Sequence, residues 1–257
     1  NMIRLTKAIS TIGCAVSVPA SREWSLSRCA AMHTSEPIAN ADLKAQKRAM
    51  RKEVSKRLAN LSEREVESQS SAVAGRLRAM QKVWESSCAE GSVVSAYLPM
   101  EGGREVNTFL IIEALCAEGA RVAVPKVTGK ASQDMRMALS PSLGALRALP
   151  LDTWRIPVPP SEWLMESADE ARVAVILVPC VALGTDCRRL GHGKGYYDCY
   201  IARVTTERAR RGLPPPLTVG LALEEQLKGP KDIPVGEHDM ELDFVVSSTG
   251  VWQRALF

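Results

Sequence analysis

The chain has 257 residues, 46% of them hydrophobic and 24% charged, enough to bury a sizeable core without disulfides or a structural metal. Its 33 basic and 29 acidic residues leave a net charge of +4, too balanced for a general nucleic-acid glue but suited to a small anionic substrate. Aromatic residues make up only 5%, which argues against a base-stacking platform, and the longest apolar run, Val173 to Leu183, is too short and too broken by Pro179 to span a bilayer.

Seven cysteines form no CxxC pair and are odd in number, so the pattern predicts neither a disulfide framework nor a zinc site and fits a reducing compartment. The three histidines, His33, His192 and His238, give no metal spacing.

Residues 1–41 read as an extension. Arg4, Lys7, Arg22 and Arg28 outnumber Glu23 and Glu36 among many Ser, Thr and Ala residues, as in an organellar transit segment; a passive tail is the alternative. Residues 42–257 read as a single domain. Asp42 is placed to cap a basic helix in which Leu43, Met50, Val54, Leu58 and Leu61 form one apolar stripe. At 100° per residue, Lys47 falls inside that stripe and Arg51 on its edge. Such side chains either snorkel past the core or reach into a cleft to meet an anion. A capping box, Ser62-Glu63-Arg64-Glu65, opens the next helix.

Further on, strands are expected over 92–97, 121–125, 135–140, 173–178, 217–222 and 243–247. Helices are expected over 107–118 and 195–211, the latter stopped by Gly212 and three prolines. The unbroken apolar run Val173 to Val178 marks a strand buried on both faces of a parallel sheet. This βαβ rhythm predicts an α/β layered domain with a mainly parallel sheet.

After that strand comes Arg188-Arg189-Leu190-Gly191-His192-Gly193-Lys194-Gly195-Tyr196-Tyr197-Asp198, leading into a helix. Alternate glycines permit positive φ, so backbone N–H groups can converge on an anion, and the helix N-terminus adds positive charge. Two arginines and a lysine supply full charges. The run is neither a P-loop nor a dinucleotide fingerprint, since no Ser or Thr follows the lysine and position 196 is tyrosine.

The stretch Arg189 to Asp198 closely resembles the signature of the 5-formyltetrahydrofolate cyclo-ligase family, also called methenyltetrahydrofolate synthetases. Support comes from Lys47-Arg48-Ala49-Met50-Arg51, Tyr97-Leu98-Pro99-Met100 with Glu105-Val106, Thr153-Trp154-Arg155-Ile156-Pro157, and Glu237-His238-Asp239-Met240. The resemblance runs from about Lys44 to Ser247. It implies a three-layer α/β/α fold of the NagB/RpiA/CoA-transferase-like kind. It also implies an enzyme that uses ATP and Mg²⁺ to convert 5-formyltetrahydrofolate to 5,10-methenyltetrahydrofolate, by phosphorylating the formyl oxygen and closing the ring through N10.

The resemblance further implies that Lys47, Arg48 and Arg51 contact ATP together with Arg189, Leu190, Gly191, His192, Gly193, Lys194, Gly195, Tyr196 and Tyr197. Lys194 and Arg189 are the implied catalytic cations, and Asp198 and Asp239 the implied Mg²⁺ ligands. Leu98, Glu105, Trp154 and residues 192–196 match substrate-contacting positions. The extra residues Gly102-Gly103-Arg104 leave Glu101 as an alternative to Glu105, and Trp154 fits the core as well as a ligand. The expected partner is a small folate, with no nucleic acid or membrane, for a monomer in the cytoplasm or mitochondrion. Competing readings are a non-catalytic folate- or nucleotide-binding paralogue and an RNA-binding protein using its basic helix.

Overall fold

The computed structural model describes residues 37–165, 167–237 and 239–255. The transit-segment reading of the extension lies outside them except for its last five residues, and so do His33 and His238. Helix α1 (Pro37–Ala59) begins five residues before Asp42. Proline is well suited to a first helical turn because its missing N–H has no partner there. Asp42 therefore sits inside the helix and accepts a bond from Gln46 Nε2 at 2.8 Å instead of capping it.

Helices α2 (Glu63–Ala79) and α3 (Gln81–Cys88) follow. The capping box at the start of α2 is formed: Ser62 Oγ accepts from the Glu65 N–H and Glu65 Oε2 accepts from the Ser62 N–H. Then come β1 (Val93–Ser95), α4 (Phe109–Ala117), β2 (Arg121–Val127), β3 (Met135–Leu139), α5 (Leu143–Arg147) and β4 (Val173–Val178). After β4 the chain forms β5 (Ala182–Gly184), β6 (Arg189–Leu190), α6 (Tyr196–Arg210), β7 (Leu217–Leu221), β8 (Leu227–Lys228), β9 (Phe244–Val246) and β10 (Val251–Gln253).

Seven strands form one sheet in the order β10-β9-β7-β4-β1-β2-β3. The five inner strands run parallel, while β3 and β10 close the edges antiparallel. The expected mainly parallel sheet is present, with helices on both faces. On one face Val73, Leu77, Val83, Ile112 and Leu115 of α2–α4 pack on Val94, Val175, Leu177 and Val219. On the other, Tyr200, Ile201 and Val204 of α6 pack on Val93, Ile176 and Val178. Strand β4, central and covered on both sides, has five of its six residues buried.

A second sheet, β6-β5-β8, lies beyond the carboxyl end of β4. Val54 of α1, with Met50 and Leu58 beside it, packs there on Ala182, Leu190 and Ile233. This satellite core attaches the basic helix to the end of the sheet where open α/β folds bind ligands.

The last turn of α6 is tied to the start of β4 through Arg208, which is 7% exposed. Its Nη1 donates to the Ala171 and Val173 carbonyls at 2.9 Å, and its Nε donates to the Pro214 carbonyl. Replacing Arg208 by Met keeps the stem and orphans those carbonyls. The expected cost is on the order of 3 kcal/mol, read as a lower urea midpoint with an unchanged m-value.

Candidate active site

The glycine run does not begin as a loop. Arg189 and Leu190 form β6, buried against β5, and only then does the chain turn outward. Gly193 and Gly195 have φ of 96° and 70°, backbone states that side chains with a Cβ rarely adopt, and α6 starts at the next residue. Arg51 of α1 crosses the turn. Its Nε donates to the Gly191 carbonyl at 2.8 Å, and a Cβ added at Gly193 would stand 3.2 Å from its Nη2. The loop is thereby pinned to α1, while His192, Gly193 and Lys194 remain exposed.

Behind the loop lie two ion pairs. Lys47 Nζ bonds Asp239 Oδ2, and Arg189 Nη2 bonds Asp198 Oδ1. Lys47 thus neither snorkels to solvent nor sits bare in the apolar stripe. Asp239 also accepts the Gly236 N–H at 2.5 Å, and Asp198 accepts from the Met240 backbone. Burial raises the Asp198 pKa; Arg189 opposes that rise and the nearby Asp239 charge adds to it, so the two pairs act as one electrostatic unit. The Arg189 side chain is 5% exposed, yet its Nε has no partner among the described residues.

The deeper wall comes from the carboxyl ends of β1 and β4. Tyr97, Leu98 and Cys180 are buried there, with Tyr197 close enough to perturb Tyr97. Burial holds both phenols well above their ordinary pKa, so they stay protonated. The Tyr197 hydroxyl is buried without a partner among the described residues. Burial also pushes the Cys180 thiol to about 12, which leaves it inert as a nucleophile near neutral pH. Gln226 braces this wall: its Nε2 donates to the Cys180 carbonyl at 2.6 Å and its Oε1 accepts the Leu223 N–H.

Of the two alternative carboxylates, Glu105 is the one turned inward. Its Oε1 accepts the Met100 N–H at 2.7 Å, and burial raises its pKa. Glu101 instead pairs with Arg155 at 2.8 Å on the surface. The core reading of Trp154 is corrected: it is 72% exposed, on a turn whose Trp154 and Ile156 N–H groups bond Asp152 Oδ1. A residue on a surface turn has no layer to pack under. Arg48 is exposed too, because 100° of helical rotation from Lys47 carries it off the buried stripe, and the structure does not bring it to the ion pairs.

Tyr196 is half-buried, and its hydroxyl donates to the Gly129 carbonyl at 3.1 Å. That contact brings in a segment the sequence reading missed, the 128–134 connection between β2 and β3, which also places Ser132 Oγ 3.2 Å from Cys199 Sγ. No motif marks Ser132 or Gln226. His192 is solvent-accessible, though crowding by the chain, aided by the Arg51 charge, lowers its pKa.

Two neighbouring carboxylates, Asp198 and Asp239, beside the glycine turn fit Mg²⁺, which commonly takes one or two carboxylates and completes its shell with phosphate and water. Among the described residues no group of three metal-ligating side chains forms a closed cage, as zinc would require. The unpartnered Arg189 Nε and the positive-φ glycines fit a phosphate oxygen.

Residues 43–248 match the 5-formyltetrahydrofolate cyclo-ligase family. A probable 5-formyltetrahydrofolate cyclo-ligase of Caenorhabditis elegans is 34% identical over 206 residues, covering 79% of this chain and 93% of that one. The mouse 5-formyltetrahydrofolate cyclo-ligase is 32% identical over 211 residues, 81% of this chain and 97% of its own. An Arabidopsis thaliana relative described as mitochondrial is 34% identical over 84 residues, 33% of this chain and 30% of that one. The solved Aquifex aeolicus 5,10-methenyltetrahydrofolate synthetase superposes with a TM-score of 0.60 at 27% identity, over 82% of this chain and 96% of that one.

The inward Glu105 carries a testable pH dependence. Its folded pKa lies above the ordinary value of 4.5, so the folded chain binds the extra proton and wild-type stability falls as pH rises from 4.5 through the raised value. Glu105→Gln, which can still accept the Met100 N–H, should match wild type near pH 4 and exceed it at pH 7 in parallel urea melts.

Proposed function

The chain belongs to the 5-formyltetrahydrofolate cyclo-ligase family, ligases of folate one-carbon metabolism, and on that premise we propose that it converts 5-formyltetrahydrofolate to 5,10-methenyltetrahydrofolate at the expense of MgATP. One observation supports the reading: a positive-φ glycine turn carrying the exposed Lys194 leads into α6, bonded on one side by Arg51, and the same helix start holds the Arg189–Asp198 pair beside the Lys47–Asp239 pair. A formyl oxygen is a poor leaving group. Transfer of the γ-phosphoryl group to it makes it a good one, N10 attacks the carbon, and phosphate departs.

The residues divide the work. Lys47, Arg51 and Arg189 bind phosphate oxygens, while backbone N–H groups from Gly191 to Tyr197 wrap the nucleotide. Arg48 is left at the rim by its exposure. Lys194, with Arg189, faces the charge that spreads over the transferring group, a task for pre-placed cations rather than acid–base residues. Asp198 and Asp239 would hold Mg²⁺, which when bound supplies charge neutralisation at the phosphates.

Leu98 and Glu105 line the pterin side, Glu105 accepting its N–H groups, and the rings of Tyr196 and Trp154 cover its flat face together with the 192–195 backbone. We propose that the chain acts as a monomer. Among the described residues no helix is long and apolar enough to cross a membrane. The Arabidopsis relative's description supports a mitochondrial site for this chain, with the cytoplasm as the alternative.

The direct test is ATP-dependent formation of methenyltetrahydrofolate, followed by its absorbance; a folded protein that forms none would overturn the proposal. Within that assay Lys194→Met should lower turnover by about two to three orders of magnitude, the usual effect of losing one pre-placed donor. Nucleotide affinity should fall much less. Removing residues 1–36, which precede α1, should leave turnover intact if, as we propose, the catalytic unit is the single domain that follows.

A further inference from the structure

In the described state every carboxylate proposed to hold the metal is occupied by a cation proposed to hold phosphate. Asp239 has Lys47 and Asp198 has Arg189. Lys47 and Asp239 are 192 positions apart, and Arg189 and Asp198, nine apart, lie on different elements, β6 and α6, so helical spacing forces neither pairing. Each carboxylate is also anchored by backbone, and both anchors come from the 236–240 segment: the Gly236 N–H holds Asp239 and the Met240 backbone holds Asp198. Each pair is therefore a set of two half-fixed groups, neutral as a whole and largely withdrawn from water.

We infer that these two pairs make the site exchange partners as a unit, so that Mg²⁺ and the triphosphate bind only weakly alone and tightly together. This rests on the roles proposed above for the four residues. Metal arriving alone has to displace Lys47 and Arg189, stranding two partly buried cations. Triphosphate arriving alone pulls the same cations away and leaves two carboxylates facing an anion. When both arrive, carboxylates pass to metal and cations to phosphate, and no charge is left unmatched. Such coupling is reciprocal by linkage, and its ordinary size is about 5- to 150-fold.

The inference predicts a sign that a simple phosphate-binding lysine does not. A free cation should matter most for ATP without Mg²⁺, where the phosphate charge is bare. A cation held by Asp239 should matter least there, because it is released only when metal takes the carboxylate.

Isothermal titration of the full chain with MgATP, and with ATP in EDTA, reads this directly. Removing the pair together, Lys47→Met with Asp239→Asn so that no bare carboxylate is left facing the phosphates, should weaken MgATP by about tenfold or more, the loss of one charge-assisted bond, and weaken metal-free ATP by less than about threefold. Asp239→Asn keeps an acceptor for the Gly236 N–H and frees Lys47; in that background Lys47→Met should now cost metal-free ATP about tenfold. Circular dichroism melts check folding, and if Asp239→Asn does not fold, Asp239→Ser takes its place, with Lys47→Gln as the substitute for Lys47→Met. A loss for metal-free ATP on removing the pair that equals or exceeds the loss for MgATP overturns the exchange while the proposed function stands. Absence of saturable MgATP binding to the folded wild-type protein overturns both.

Discussion

A strand buried on both faces constrains everything around it. Strand β4 is such a strand, and its parallel neighbours β1 and β7 can be reached only by crossovers that pass over one face of the sheet or the other. The crossovers become the helical layers, and the strands end together on one side. Tyr97 and Leu98 after β1, Cys180 after β4 and Leu223 after β7 consequently converge, and Gln226 links the last two through paired backbone bonds. The site wall is a by-product of burying Val173 to Val178.

The second constraint is charge. Lysine, arginine and aspartate side chains drawn into that wall lose hydration, and an unpaired ion there is costly. The molecule meets this by pairing across elements: α1 supplies Lys47, β6 supplies Arg189, α6 supplies Asp198, and the segment before β9 supplies Asp239. Helix α1 reaches the cluster because the satellite core around Val54 and Leu190 attaches it to the small sheet. Basic residues on its outer side remain solvated, so a strongly basic helix serves two surfaces with different roles.

Rigidity is distributed unevenly around the site. The glycine turn is fixed from one side by Arg51 and, through Tyr196, from the other by the 128–134 connection. The 99–105 segment is latched to the 151–157 segment by the Glu101 N–H bond to the Arg155 carbonyl and by the Arg155–Glu101 ion pair. Those surface bonds are exposed and individually weak, whereas the buried wall behind them is close-packed. Trp154 stands on the weakly held part and Leu98 on the strongly held part, while Glu105 closes the 99–105 segment by accepting the Met100 N–H.

Sequence alone determined the elements whose causes are local. Burial on both faces shows as an unbroken apolar run at β4, a helix start as the Ser62–Glu65 capping box, and a tight turn as glycines that adopt φ of 96° and 70° at 193 and 195. Each of these is set within a few residues of chain. Lys47 could be seen as an anomaly in an apolar stripe, but its partner is 192 residues away, and only the packing of α1 on the small sheet decided between solvent and Asp239. The same holds for Glu105 over Glu101, for the exposure of Trp154, and for Ser132 and Gln226, which carry no motif. Spacing records which way a side chain leaves its own element. What it meets there depends on how the elements stack, and that is settled by the burial of the sheet and the cost of leaving a charge unpaired.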